Sequence, residues 1–151
     1  MEINNKGMTE IVKTITSLVE GAILVYGLNI VLYGHISPGG GFAGGLILSF
    51  LFILLFLAYG KEGAYDKLNL KNAHILDSVG VMGFLFIGIM GIVLTGNFLN
   101  NFLNRYLPGK EFSLLSAGVI PLNNIAIGLK VAASVYLAFV ILSVFKIGEE
   151  E

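Results

Sequence analysis

Two charged side chains sit deep inside runs that are otherwise mostly apolar. Glu20 lies inside the run from Ile11 to Tyr33, and Lys130 lies inside the run from Ile125 to Phe145. At ~1.5 Å of helix per residue, Glu20 is roughly 13 Å from the start of its run and Lys130 roughly 10 Å in from the opposite side. An ionised group at such depth costs about 3 kcal/mol or more in hydrocarbon, so it marks an ion path, a proton relay or a charged neighbour. Their depths differ by only about 6 Å in a ~30 Å core, so the spacing allows a Glu20–Lys130 ion pair. Such a lysine either exchanges protons or stays a fixed charge on a carboxylate, and the residues alone leave both open.

The neighbours of these charges are patterned. Lys13, Thr16, Ser17, Glu20 and Gly27 fall within about 60° of one direction at ~100° per residue, a single polar stripe that must face protein or water. Asn123, Lys130 and Ser134 likewise share a face. In the third apolar run, Gly80, Gly83, Gly88 and Gly91 form a small-residue sector against which another helix can pack closely. Asp77 projects into that sector. Near the start of its helix it reads either as a wet carboxylate stabilised by the helix dipole or as an ion ligand. His35 and His74 are far apart and lack a carboxylate at ligand spacing, so no metal site is expected.

Residues 34–45 read GHISPGGGFAGG. Pro38 fixes one backbone angle and disfavours helix at Ser37, so the first helix cannot run straight on. Gly39, Gly40 and Gly41 permit a tight turn, with His35 at its lip and Phe42 opening the next helix. Gly40/Gly44 and Gly41/Gly45 are small-xxx-small pairs that let the mouth of that helix press against another. The Lys-Ser/Thr of a phosphate loop is missing.

These residues need a scaffold, and composition defines it. The 151 residues are 56% hydrophobic but only 13% charged, about half the charge of a soluble domain at ~25%. The expected architecture is an all-α integral membrane protein with four transmembrane helices over about 11–33, 42–59, 75–94 and 125–145, in a single domain over 1–151. At the span ends and beyond them, Lys6, Lys13, Lys61, Lys67, Lys71 and Lys146 fall on one side, and Arg105 and Lys110 on the other. That bias places both termini in the cytoplasm. Between the third and fourth spans, Asn97, Asn100, Asn101 and Asn104 recur at helical spacing opposite Phe98, Leu99, Phe102, Leu103, Tyr106 and Leu107. They predict a short interfacial helix at about 97–107 stopped by Pro108-Gly109, or else an extension of the third helix. With no cysteine, iron–sulfur or thiol chemistry has no ligands here. The net charge of −1 offers no field for nucleic acid.

GHISPGGGFAGG strongly resembles the signature of the MrpB/MnhB family, the small four-helix subunit of multisubunit cation/proton antiporters. The likeness extends along nearly the whole chain, through the striped first helix, the PGGGF turn, the apolar second helix and PLNNIAIGLKV at residues 121–131. The resemblance implies a non-catalytic subunit of a prokaryotic cell membrane, set beside other antiporter-module subunits that exchange Na+ for H+. A similar module forms the membrane arm of archaeal membrane-bound hydrogenases and sulfur-reducing relatives, where nickel–iron and iron–sulfur centres would belong to partner subunits. No cofactor is expected in this chain. The resemblance draws attention to His35, Pro38, Gly39, Gly40, Gly41, Phe42 and Lys130. Two other readings are a self-sufficient proton-coupled exporter, similar in outline to the small multidrug-resistance proteins, and a purely structural scaffold.

Overall fold

The structure is a computed structural model that describes residues 7–106 and 116–148. Its helices end where backbone chemistry stops them. Helix α1 (Glu10–Tyr33) follows Thr9 and ends at Gly34. Helix α2 (Gly41–Lys67) is broken at Gly60 (φ 75°, ψ −178°), so its apolar span is Gly41–Gly60. Helix α3 (Leu70–Thr95) starts under the Asn69 side chain, which accepts from the Lys71 amide. It stops at Gly96, whose left-handed φ of 80° turns its N–H onto the Ile92 carbonyl. A short α4 (Phe102–Tyr106) and the long α5 (Ile120–Gly148) complete the order. Among the described residues, four helices are long and apolar enough to cross a bilayer. This is a multi-pass membrane protein.

The third and fourth spans begin five residues earlier than hydropathy suggests, at Leu70 and Ile120. Hydropathy marks where side chains become apolar, whereas caps mark where the helix begins. Asn69 supplies such a cap, and Pro121 occupies the first turn of α5, where its missing N–H costs nothing.

The segment after α3 differs more. Among its described residues helix is confined to 102–106, and Gly96 prevents any extension of α3. Residues 97–101 fold back on α3 instead, with Leu99 at φ 56° and the Phe98 ring lying over Gly88. Asn101 explains part of the asparagine pattern, because its amide donates to the Ala117 carbonyl at 2.9 Å and its oxygen accepts from the Val119 amide at 3.0 Å. The expected stop at Pro108-Gly109 lies outside the described residues, as do Lys6 and Lys110 of the charge count.

Packing follows from glycine. Gly41 rests on Asn124 and Ile127, and Gly45 on Gly128 and Val131. Further along, Phe52 meets Tyr136 with ring centroids 5.9 Å apart, and Phe56 meets Phe139 edge-on at 5.7 Å. Both series advance together, so α2 and α5 run parallel. Helix α1 lies antiparallel to α2, with Gly27 on Ile47 and Leu48 and Val31 on Gly44. Helix α3 lies antiparallel to α5, with Ala73 in the cluster of Tyr136, Leu137 and Val140, and Gly80 on Ala126 and Lys130. The order across the molecule is therefore α1, α2, α5, α3. In the 18-residue apolar stretches of α2 and α5, 44% of residues are buried, against 17% in those of α1 and α3. The outer pair present Leu18, Val25, Met82, Phe86 and Val93 outward, apolar surface suited to lipid or to a neighbouring helix.

Candidate functional site

Gly80 makes the site possible. A Cβ there would come within 2.7 Å of the Ala126 carbonyl oxygen and 2.8 Å of the Lys130 amide nitrogen, so α3 and α5 touch backbone to backbone. Asp77, nearly one turn earlier on α3, then faces Lys130 and Ser134, which are one turn apart on α5. The Lys130 ammonium donates to Asp77 Oδ1 at 2.8 Å. Ser134 Oγ accepts from the same ammonium and donates to the same carboxylate oxygen. The Ser134 hydroxyl is thus both acceptor and donor, and the triangle leaves one ammonium N–H and Asp77 Oδ2 for other partners.

The ion pair differs from the one that depth alone allowed. Lys130 pairs with Asp77, not with Glu20. Asp77, read from the sequence as a helix-start carboxylate or an ion ligand, is paired with Lys130 and stays partly exposed. It is the eighth residue of α3, ~10 Å from the helix start. The cluster is not sealed, since the side chains of Lys130 and Asp77 are 41% and 30% exposed. Next to it lies a notch of about 210 Å³ lined by Gly80, Val81, Phe84, Ala126, Ile127 and Lys130.

The polar stripe of α1 forms a second, separate locus. Glu10, Lys13, Thr14, Ser17, Leu18 and Tyr59 line a shallow groove of about 330 Å³. Lys13 is paired with Glu10 at 3.0 Å, and the Tyr59 hydroxyl donates to the Lys13 carbonyl. Thr16 is buried, while Glu20 is partly buried further along the helix. Helix α1 touches α5 where Val31 meets Gly128, on the opposite edge of α5 from the ion pair.

The turn at 34–41 is tight because Gly34 and Gly40 cross at a distance no side chain permits, with a Cβ on Gly34 lying 2.2 Å from Gly40 Cα. Gly39 and Gly40 hold φ of 139° and 107°, conformations that favour glycine. His35 is partly buried within this turn, and Pro38 and Phe42 are exposed. Gly44 and Gly45 wedge the start of α2 between α1 and α5, so the small-xxx-small pairs serve two neighbours instead of one. Of the glycine sector on α3, Gly80 and Gly83 face α5, whereas Gly88 and Gly91 receive the returning turn at 97–100. The expectation of a single helix-packing face is corrected accordingly. Ser134 is the residue whose role sequence reasoning missed. Its i+4 spacing from Lys130 was the available signal.

A family model described as a domain related to the MnhB subunit of Na+/H+ antiporter matches residues 11–137. The Methanocaldococcus jannaschii uncharacterized protein MJ1307 is 35% identical over 145 residues, 92% of this chain and 54% of that protein. The mnhB2 protein of Staphylococcus aureus strain MRSA252, named as an antiporter subunit, is 36% identical over 96 residues, 64% of each chain. In solved structures, a chain of the membrane-bound sulfane sulfur reductase, an archaeal respiratory membrane complex, shares the fold with a TM-score of 0.72 at 22% identity. That match covers 92% of this chain and 62% of the other. The chain thus spans between about half and two thirds of the relatives it matches. With the family model covering the turn, the ion pair and all but the first residue of the first three spans, the chain belongs to the MnhB family of antiporter-related membrane proteins.

Proposed function

We propose that the chain is a non-catalytic membrane subunit of an Mrp-type sodium/proton antiporter module, either free-standing or part of a respiratory membrane complex. The observation that carries this reading is the Asp77–Lys130–Ser134 triangle within the spans of an MnhB-family chain. A paired, hydrogen-bonded charge set inside a span is costly to build and marks ion movement or coupling between charge states. Glu20 supplies a second ionisable group on a separate face. The chain shapes a field and leaves transport to the assembly. Na+ and H+ are the cargo of that assembly. Any nickel–iron or iron–sulfur centre belongs to partner chains, and both termini face the cytoplasm.

The test uses the intact complex recovered by mild detergent extraction and reconstituted in vesicles with a pH-sensitive dye. Asp77→Asn and Glu20→Gln complexes are expected to assemble with their partners and to exchange sodium for protons at least ten-fold more slowly. Normal exchange by both variants refutes the electrostatic role. Loss of partners before loss of exchange favours a scaffold, and proton-coupled dye uptake by the chain alone favours an exporter.

A further inference from the structure

Glycine contacts set a common level in the bundle. Gly128 meets Val31 and Gly45, and Gly80 rests on Ala126 and Lys130, to either side of Gly128. From that level the spans of α2 and α5 continue to Gly60 and Ser143, about 15 residues and ~22 Å in each case. Helix α3 continues only to Leu70, about 10 residues and ~15 Å. Its polar first turn is therefore drawn about 7 Å into the bundle relative to the neighbouring span ends. At the other end α3 overshoots, and the returning turn at 97–101 covers Gly88 and Gly91.

This displacement carries polar side chains to membrane depth. Measured from the level of Gly60 and Ser143, Lys71 lies ~9 Å, His74 ~13 Å and Ser78 ~19 Å inside the neighbouring span ends, in a core ~30 Å thick. All three are exposed. At ~100° per residue they fall within about 60° of one another, and Asp77 lies about 60° beyond His74. The exposed apolar residues Ile75, Val79 and Met82 occupy the adjoining face. Helix α3 thus divides its outward surface, at one depth, into a face fit for lipid and a face that lipid cannot solvate.

We propose that the Lys71–His74–Ser78 face of α3 lines a water-filled inlet. It opens at the start of α3, on the side read above as cytoplasmic, and ends at the Asp77–Lys130 pair. Water serves an ammonium, an imidazole and a hydroxyl at three depths together, whereas a partner helix needs a matched group for each. The face is continuous with exposed Asn69 at the end of the bundle, and it leads to side chains of Asp77 and Lys130 that are 30% and 41% exposed. Lys71 at the mouth repels metal cations, so the inlet holds water, along which protons move. The proposal rests on the reading of Asp77–Lys130 as a coupling site and adds the route by which water reaches it.

Because the chain has no cysteine, single substitutions report on each position in turn. Lys71→Cys, His74→Cys, Ser78→Cys and, as the control, Val79→Cys are made in the full chain within its complex. Inside-out and right-side-out vesicles are treated with the membrane-impermeant reagent sulfonatoethyl methanethiosulfonate, and the unreacted thiol of this chain is then counted by gel shift. The first three variants are expected to react from the side of α3's start at least ten-fold faster than Val79→Cys, in the order Lys71, His74, Ser78.

Rates for His74→Cys and Ser78→Cys no faster than for Val79→Cys overturn the proposal, because lipid or protein then covers the face. Reaction that appears only after the chain is separated from its subunits identifies a partner as the cover and overturns it equally. So does reaction from the opposite side alone. Slow exchange by the Asp77→Asn complex with unreactive cysteine variants keeps the proposed function and removes the inlet. Fast labelling with normal exchange by Asp77→Asn and Glu20→Gln keeps the inlet and removes that function.

Discussion

The seam between α2 and α5 gives the most direct measure of how this fold is held. A Cβ added at Gly45 would lie 2.8 Å from the Gly128 carbonyl oxygen, 2.9 Å from Val131 Cβ and 3.2 Å from Gly128 Cα. Two of the three obstacles are backbone, and the third is a stiff β-branched carbon, so no side chain can rotate away. Carbon contacts relax to about 3.5–4.0 Å, which separates the helices by roughly 0.5–1 Å and forfeits a quarter to a half of each dispersion contact along the seam. Overpacking of this kind costs about 1–3 kcal/mol. Against it stands the helix preference of alanine over glycine, about 0.8–1.0 kcal/mol.

Gly83 provides the internal standard. Its added Cβ would sit 3.7 Å from Ala126 Cβ, an ordinary contact, while the gain in helix preference is the same. Gly83→Ala is therefore expected to be neutral or stabilising, and Gly45→Ala less stable than it by about 1–3 kcal/mol. Detergent-induced unfolding of both variants in mixed micelles, followed by circular dichroism, measures the difference directly. Equal midpoints and slopes for Gly45→Ala and Gly83→Ala would refute the claim that backbone contact along this seam stabilises the fold.

Other expectations rest on single contacts. Lys130→Met and Asp77→Leu each leave a charge partly buried without its counter-ion, at a cost below the ~3–5 kcal/mol of a fully buried pair, while the two changes together recover most of the loss; the same unfolding assay gives the cycle. Asn101→Ala removes both bonds that hold the 117–119 turn, about 1–3 kcal/mol. It is expected to raise hydrogen exchange at Val119 while leaving the exchange of α2 unchanged. Gly96→Ala meets no atom within 4 Å but keeps a positive φ, so it is expected to cost about 1 kcal/mol, and Gly96→Asn less.

The spans and the glycine turn were legible in the sequence because both depend on local chemistry. A run of apolar side chains declares a span wherever it is placed, and Pro38 with three glycines permits little except a turn. The partner of Lys130 was not legible, because axial depth is only one of the coordinates that define a contact. Depth singled out Glu20 and set Asp77 aside as a residue near its helix start, and the partner was decided instead by the spatial order of the helices, which puts α3 beside α5 at the Lys130 face and sends α1 to the far edge. Gly88 and Gly91 show the same limit. Glycine declares close approach without naming what approaches, and here it is the chain's own returning turn. The asparagine periodicity misled because Asn101 is spent on carbonyl and amide groups sixteen and eighteen residues away, a long-range use that imitates a helical stripe.

The ion pair also has a history during synthesis. Asp77 and Lys130 are 53 residues apart, so at about 5–20 residues per second the carboxylate is made roughly 3–10 s before its counter-ion exists. In that interval α3 must either be held in the insertion machinery or cross the bilayer with an acidic group near its first third, against an insertion penalty of about 2.5–3.5 kcal/mol if that group reached the bilayer centre. The apolar length of α3 beyond Asp77 is what makes the wait survivable. Final seating of α3 therefore depends on the arrival of α5, and the later span completes the insertion of the one before it.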